Sequence, residues 1–492
     1  MNQPDYRMRL DELLPELAAG ASWCAQEVTG LTNDSRRVQP GDLFLACRGE
    51  RFDGAAFIDA AVAAGAVAVV TDGGAGGEVG VPVMVQPDLA VHQAELAARF
   101  YRQPGDELDL IAITGTNGKT SCCHFIAQAL AAMGEAPALI GTNGYGFYGQ
   151  LESASHTTPD AIRLQQLLAG LRDRGARQVV MEVSSHALEQ QRVAGLRFSQ
   201  AVFTNLSRDH LDYHGTMEAY GAAKARLFHE YGVTRAVVNR DDPFGRTLLA
   251  GLGDEVQSIS YGLDNPGEDG LSVEGFSQTA SGIAAVIRYG EQRCTLESAL
   301  IGRFNLLNLL AAAGVLLGRG HALAAVVEQL AQLQGVAGRM ESFHQPHRPL
   351  VVVDYAHTPD ALEKALQALR GHCQGQLWCV FGCGGDRDRG KRPQMAAVAE
   401  AAADRLVITS DNPRSEEPQA IIEDISAGLK RSGRVVVEAD RSRAITYAVT
   451  HAEAGDVVLV AGKGHEDYQE ISGVRYPFSD ADQVRQALGG AA

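Results

Sequence analysis

The six residues Gly115-Thr116-Asn117-Gly118-Lys119-Thr120 stand between an apolar run, Leu110-Ile111-Ala112-Ile113, and a helical pattern, Cys123-His124-Phe125-Ile126-Ala127-Gln128-Ala129-Leu130. Strand, glycine loop and helix in that order place the segment in an α/β fold and make the loop a seat for a nucleoside triphosphate. Glycines let backbone N–H groups close around phosphate oxygens, and the helix N-terminus adds partial positive charge. Lys119 can reach the outer phosphates, Thr120 offers a hydroxyl to magnesium, and Ser121 follows on the helix. The usual loop keeps about four residues between its first glycine and the Gly-Lys pair. Here that first position is Ile113, and Gly115 precedes Gly118.

At 492 residues the chain is too long for one core, and length suggests about three domains. The net charge of −17 comes without a basic stretch, which argues against nucleic acid as a partner, because phosphate backbones are bound by clustered Lys and Arg. Met1 to Leu14 mixes acids, arginines and prolines without an apolar core. Neither a secretory signal nor a membrane span is therefore expected, and a cytoplasmic setting is. The cysteines show no zinc-ligand pairing and no disulfide framework, so reduced, mostly buried thiols are expected.

Residues 1–108 contain short strands, Asp42 to Ala46 and Val67 to Val70, joined through an alanine-rich helix around Phe57 to Ala64, and read as a small α/β unit. The polar bridge Arg102-Gln103-Pro104-Gly105-Asp106-Glu107 separates this unit from the loop-bearing strand. Gln178 to Val183, Ala201 to Asn205 and Ala236 to Asn239 then alternate with helical patterns, as in a mainly parallel sheet covered by helices. After Gly338-Arg339-Met340-Glu341 a second doubly wound sheet begins, with strands at Leu350, Leu377, Leu406, Val435 and Val457. Ligands of such sheets bind beyond the carboxyl ends of the strands. Polar clusters stand at these ends: Glu182 to His186, Asn205 to His210, Asp354 to His357, Gly384 to Arg387, Asp411 to Arg414, and Gly462 to Glu466.

Magnesium on a triphosphate needs hard oxygen ligands from few protein groups, so Thr120 with Glu182 suffices for one ion and His210 could contact a second. Taken alone, Glu182 could instead pair with an arginine, and His210 could cap a helix or sit in a core.

Several segments together resemble the ATP-dependent Mur ligases of peptidoglycan synthesis. They are Thr114 to Thr120, Met181-Glu182-Val183-Ser184-Ser185-His186, Asn205 to Asp212, Gly302-Arg303-Phe304-Asn305-Leu306-Leu307-Asn308, Gly338-Arg339-Met340-Glu341 and Asp354-Tyr355-Ala356-His357. The resemblance covers the whole chain, and its most specific marker is Asp411-Asn412-Pro413-Arg414. It implies three α/β domains: an N-terminal UDP-binding domain over 1–108, a central P-loop ATPase domain over 109–340, and a C-terminal Rossmann-like domain over 341–492 that receives an amino acid. It implies ATP and magnesium as cofactors, UDP-N-acetylmuramoyl-L-alanyl-D-glutamate and meso-2,6-diaminopimelate as substrates, and a monomer. ATP would phosphorylate the D-glutamyl side-chain carboxylate, and the incoming amine would attack the acyl phosphate. A carboxylate is a poor electrophile, so phosphorylation creates the leaving group while Lys119 and magnesium offset the crowded negative charge.

Residue by residue, the resemblance makes Lys224, after Tyr220, a lysine that is carbamylated to help hold the second magnesium, where a bare reading would make it a solvated helix lysine. It puts Asn305 and Asn308 near the adenine, Arg339 near the phosphates and Asp354 near the ribose. The two asparagines share a helix face and could instead form a cap or surface pair, and Arg339 could instead be an interdomain salt bridge. The UDP-linked substrate matches Asn33 and Ser35, then Glu50, Arg51 and Phe52, then Thr157, Thr158, Ser184, Gln190 and Arg192. The family often carries asparagine where this chain has His156, which could donate one hydrogen bond.

Meso-diaminopimelate and L-lysine differ by one distal carboxylate, so selecting the former requires a fixed cation that the latter leaves unmatched. Arg414 can do this, and a charge-assisted bidentate pair contributes roughly 1.5–3 kcal/mol. Pro413 restrains the backbone before it, while Asp411 or Asn412 can bond the turn or the distal ammonium; read by itself, Asp411-Asn412-Pro413-Arg414 is an ordinary turn. Glu466 could hold that ammonium, Arg387 would take the carboxylate beside the reacting amine, and Gly462 would allow close backbone approach. Rival readings are the same fold adding L-lysine, a folate-extending amide ligase, a nucleotide-controlled binding protein, and a plain ATPase or kinase. Folate ligases lack the N-terminal UDP domain, and a plain ATPase would not need the second sheet.

Overall fold

Fully buried runs of valine, isoleucine and alanine become parallel strands, because such strands are covered on both faces. The computed structural model describes residues 6–18, 20–49, 53–73, 79–154, 156–264, 270–279, 282–430 and 432–489. The chain packs as two units, Met1–Tyr261 and Gly262–Ala492.

The first unit holds a parallel sheet of Gly30–Thr32, Asp42–Ala46, Ala68–Thr71 and Val83–Val85 in that order. Leu43, Leu45, Val70 and Phe100 of the helix Leu89–Phe100 form its core, joined by Ile162 and Ala169 from the helix Ala161–Asp173. Leu164 and Leu168 of the same helix enter a second core with Leu110, Val179 and Phe203. That core underlies a sheet in which Asp109–Thr114 lies between Gln178–Glu182 and Gln200–Phe203, all parallel. The register sets Glu182 opposite Ile113 and Phe203 opposite Thr114, so these chain ends converge where the glycine loop begins.

The second unit begins with an antiparallel ribbon, Leu271–Thr279, Gly282–Tyr289 and Gln292–Ser298, followed by the buried helix Arg303–Gly318. Its main sheet runs in the order Glu341–Phe343, Leu350–Asp354, Val457–Ala461, Leu377–Phe381, Arg405–Ile408 and Val435–Val437, with the first strand antiparallel and the rest parallel. Val457–Ala461, last of the parallel strands in sequence, sits between the first two, which brings Asp354, Gly382, Asp411 and Gly462 to one edge. A small hairpin, Tyr468–Ile471 with Val474–Pro477, follows directly.

No helix among the described residues is long and apolar enough to cross a membrane. All eight cysteines are free, as expected, but only Cys122, Cys123, Cys379 and Cys383 are buried; the others are partly exposed.

Candidate active site

The glycine loop is held by the strand beside it. Asn205 accepts from Asn117 N at 3.1 Å and donates to Asn117 O at 3.0 Å, and Thr204 Oγ1 donates to Asn117 O at 2.6 Å. Gly115 has φ +142, and a Cβ there would fall 1.9 Å from Thr204 Oγ1, so glycine is required at this position. Lys119, first residue of the helix Lys119–Ala132, turns its Nζ back onto Gly115 O and Thr116 O, each at 2.9 Å.

Glu182 is 1% exposed. It accepts from Thr120 Oγ1 at 2.9 Å, Thr142 N at 2.7 Å and Thr142 Oγ1 at 3.2 Å. Among the described residues no arginine pairs with it in the way the bare reading had offered. A hydroxyl and a carboxylate at the start of the loop helix form a hard-oxygen donor pair, which suits magnesium that draws its remaining ligands from phosphate and water. Among the described residues no group of three or more His, Cys, Asp or Glu could hold a metal by itself.

Lys224 lies on the helix Met217–Glu230 and is 1% exposed, so it is not the solvated lysine of the bare reading. Its Nζ donates to Gly115 O at 2.9 Å, the carbonyl that also receives Lys119, and lies 4.3 Å from the Tyr220 ring centroid. Burial, and then the Lys119 ammonium, push its amine well below the usual lysine value against the opposing pull of Asp209. Tyr220 also meets Thr116 Oγ1 at 3.2 Å. His210 precedes the short helix Leu211–His214 at φ 52, with its Nε2 3.5 Å from Asp209 and its ring 6.1 Å from that of Tyr220. It is half exposed, which removes the core alternative.

Residues expected to read the UDP-linked substrate continue outward from Glu182. Thr158 Oγ1 donates to Glu182 O at 2.8 Å and accepts from Ser184 N at 3.1 Å. Thr157 Oγ1 lies 3.0 Å from Thr142 Oγ1. Arg192 Nη1 donates to Thr158 O at 2.8 Å and its Nη2 to Gln190 Oε1 at 2.6 Å. His156 is exposed. Asn33 and Ser35 belong to the other sheet of this unit, where Asn33 donates to Gln93 at 3.1 Å and Ser35 opens the turn Ser35–Arg37. Glu50, Arg51 and Phe52 lie outside the described residues.

In the second unit, Asn305 and Asn308 are buried on one helix face, with Asn308 Nδ2 donating to Asn305 Oδ1 at 3.2 Å, so they are not a surface pair. The Arg339 guanidinium lies 4.8 Å from the Tyr355 ring centroid, and its buried Nε has no hydrogen-bond partner among the described residues. Asp354 accepts from Met340 N at 2.8 Å. At the other strand ends, Arg414 sits at φ 53. Its Nη1 donates to Gly385 O at 2.8 Å and its Nε is 3.9 Å from Glu470, which leaves most of its donors unspent. The hairpin holds its backbone: Arg414 N donates to Glu470 O at 3.0 Å, and Ser472 N donates to Arg414 O at 2.7 Å. Asp411 accepts from Asn412 N at 2.6 Å, closing the turn before Pro413. Asn412 Nδ2 donates to Glu466 at 2.8 Å. Gly462 has φ +119, and a Cβ there would meet Asp411 Oδ2 at 2.6 Å. Arg387 is exposed on the neighbouring loop.

Residues 27–101 match the catalytic domain of the Mur ligase family, 113–316 the Mur ligase middle domain and 338–464 the Mur ligase glutamate ligase domain. Over 98% of both chains the sequence is 51% identical to the UDP-N-acetylmuramoyl-L-alanyl-D-glutamate–2,6-diaminopimelate ligase of Pseudomonas aeruginosa. The chain belongs to the Mur ligase family. The ligase of that name from Chromobacterium violaceum is 51% identical across 92% of this Mur ligase and 93% of its own length. A solved structure of a ligase of that name superposes with a TM-score of 0.73 at 40% identity, covering 98% of each chain.

Within the first unit of this Mur ligase, hydrogen bonds and ring contacts connect Gly115 to Thr120, Glu182, Lys224 and His210 with Thr157, Thr158, Ser184, Gln190 and Arg192. In the second unit they connect Asp411 to Arg414 with Glu466. Thr142, Asn205, Tyr220, Lys463 and Glu470 join these clusters without having been assigned a role from sequence. Asn205 and Lys463 stand inside the polar clusters at strand ends, which was the available signal; Thr142 and Glu470 carried none.

Proposed function

We propose that this Mur ligase adds meso-2,6-diaminopimelate to the D-glutamyl side-chain carboxylate of UDP-N-acetylmuramoyl-L-alanyl-D-glutamate at the expense of ATP, in the cytoplasmic synthesis of peptidoglycan precursors. The full-length match to ligases of that name carries this reading. On it, residues 1–108 hold the nucleotide end through Asn33, Ser35 and the segment Glu50 to Phe52. Residues 109–340 perform phosphoryl transfer, and residues 341–492 present the amino acid. Thr157, Thr158, Ser184, Gln190 and Arg192 bind the peptide arm, with His156 beside them. Asn305 and Asn308 meet the adenine, Arg339 the phosphates and Asp354 the ribose.

The substrate carboxylate attacks the γ-phosphorus of ATP, the bond to the ADP oxygen breaks, and an acyl phosphate forms. Lys119 and the backbone N–H groups of Gly115 to Ser121 bind the phosphates and stabilise their charge. Thr120 and Glu182 would hold one magnesium, and His210 with a carbamate on Lys224 a second; magnesium supplies charge neutralisation at the phosphate oxygens. An unprotonated, buried lysine amine is the form that takes up carbon dioxide, which agrees with the depressed value of Lys224. The amine of diaminopimelate then attacks the acyl carbon, phosphate leaves, and the amine proton passes to solvent. Arg387 orients the carboxylate beside that amine. Arg414 reads the distal carboxylate and Glu466 with Asn412 the distal ammonium.

The test is mass-spectrometric product formation with ATP, magnesium and the UDP-linked dipeptide, in parallel with meso-diaminopimelate, L-lysine and no amino acid. A tripeptide only with diaminopimelate is expected. Equal use of lysine removes Arg414 as selector, and no adduct with either overturns the ligase reading.

A further inference from the structure

Lys463 is fully buried at the carboxyl end of Val457–Ala461. Arg392 and Arg441, the other fully buried cations of the second unit among the described residues, are matched by Glu416 and Asp424 and by Asp480. Lys463 is likewise paired, with Glu466, but both of its side-chain partners, Asn412 and Glu466, are the ones proposed to read the distal ammonium. Its Nζ is 3.0 Å from Asn412 Oδ1 and 2.9 Å from Glu466 Oε2, and it lies 5.4 Å from the Tyr468 ring centroid. Asn412 Oδ1 also accepts from Glu470 N at 2.9 Å, and Asn412 Nδ2 donates to Glu466 Oε2 at 2.8 Å. Both bonds to Glu466 fall on Oε2, and among the described residues none falls on Oε1. The amide of Asn412 is locked in one orientation, because its oxygen faces a cation.

We infer that Lys463 is a specificity-determining residue, a buried cation that fixes Asn412 and Glu466 and disfavours an amino acid carrying net positive charge. The inference rests on the ligase reading. Meso-diaminopimelate carries two carboxylates and two ammonium groups and is neutral overall; L-lysine lacks one carboxylate and is a cation. Arg414 detects the missing carboxylate, whereas Lys463 acts on the charge balance of the whole ligand by sharing Glu466 with the distal ammonium. Whatever the other charges around the pocket, deleting Lys463 makes it one unit more negative. A cationic ligand gains from that change more than a neutral one does.

Lys463→Met and Lys463→Gln, the latter keeping a donor for Asn412, are compared with wild type and with Lys463→Arg, which keeps the charge. Steady-state rates are measured with each amino acid, together with thermal unfolding. The expected result is a rise of about tenfold or more in the ratio of kcat/KM for L-lysine to that for meso-diaminopimelate in the two neutral variants. It should come chiefly from a lowered KM for L-lysine, with the KM for ATP unchanged and the preference kept in Lys463→Arg. An unchanged ratio, or a fall in kcat shared by both amino acids with KM constant, overturns the inference and leaves a structural role. If the neutral variants do not fold, an unchanged preference in Lys463→Arg supports it, and a lost preference in that charged, folded variant overturns it. A wild-type enzyme inactive with diaminopimelate overturns the ligase reading itself, a result distinct from an active enzyme whose ratio does not move.

Discussion

On the proposed reading Lys224 activates and Arg414 selects, and both sit where an ordinary residue would be uncomfortable. Lys224 is an amine held out of water beside a second amine, so its neutral form is favoured. With carbon-13-labelled bicarbonate, wild type should show a carbamate carbonyl signal that Lys224→Arg lacks, and the variant should lose about a hundredfold in kcat. A variant with no signal difference and full activity removes the carbamate. Arg414 occupies left-handed backbone space that costs about 1 kcal/mol or more for such a side chain. Arg414→Ala should lower kcat/KM for diaminopimelate by roughly ten- to a hundredfold without changing that for L-lysine. Arg414→Lys should not restore it, because a point charge does not replace the planar fork. The burial of Lys224 could not be read from Ala-Ala-Lys-Ala, since helix periodicity does not say which neighbours cover a face; its role came only from family resemblance. Arg414 too was singled out by the family resemblance, since proline and turn residues around an arginine read by themselves as an ordinary turn.

Among the elements, the apolar parallel strands were legible, whereas the short parallel strands Gly30–Thr32 and Val83–Val85 and the antiparallel strands were not. Runs such as Val351-Val352-Val353 and Leu377 to Phe381 are apolar throughout because both faces are buried, whereas Tyr468–Ile471 is mostly half-buried, Val474–Pro477 is exposed, and neither forms an apolar run. That unannounced hairpin is nevertheless what grips Arg414. Its two-residue turn places Ser472 at φ 50 and Gly473 at φ 77, the paired left-handed conformation that suits the twist of a tight hairpin. Gly473→Val introduces a branched side chain where it is strained by about 1–2 kcal/mol. The expected outcome is a KM for diaminopimelate raised about three- to tenfold with the KM for ATP unchanged, measured by steady-state kinetics. Equal KM values in variant and wild type would show that the turn does not support the selector.

For the molecule as a whole, carboxylates held below their ordinary values govern behaviour in acid. Arg36 holds Asp34 down, Arg9 holds Asp11 down, Ser415 holds Asp386 down, and Arg392 with Arg389 holds Glu416 down furthest. A depressed carboxylate stabilises the fold above its ordinary value and ceases to do so as pH falls through its folded value. Glu416→Gln should therefore melt lower than wild type at pH 7, and the two melting curves should converge at strongly acid pH. A constant gap down to the lowest pH would mean that Glu416 acts by shape alone. At the same scale, the helix Ala161–Asp173 sends Ile162 and Ala169 into one core and Leu164 and Leu168 into the next. Two cores that share a helix cannot slide past each other, so the span from Asn33 to Glu182 is settled when the unit folds. On the proposed reading this makes the first unit a ruler. A nucleotide-sugar peptide one residue short anchors its base and never brings its carboxylate to Lys119, and one residue too many overshoots, so length is checked before chemistry.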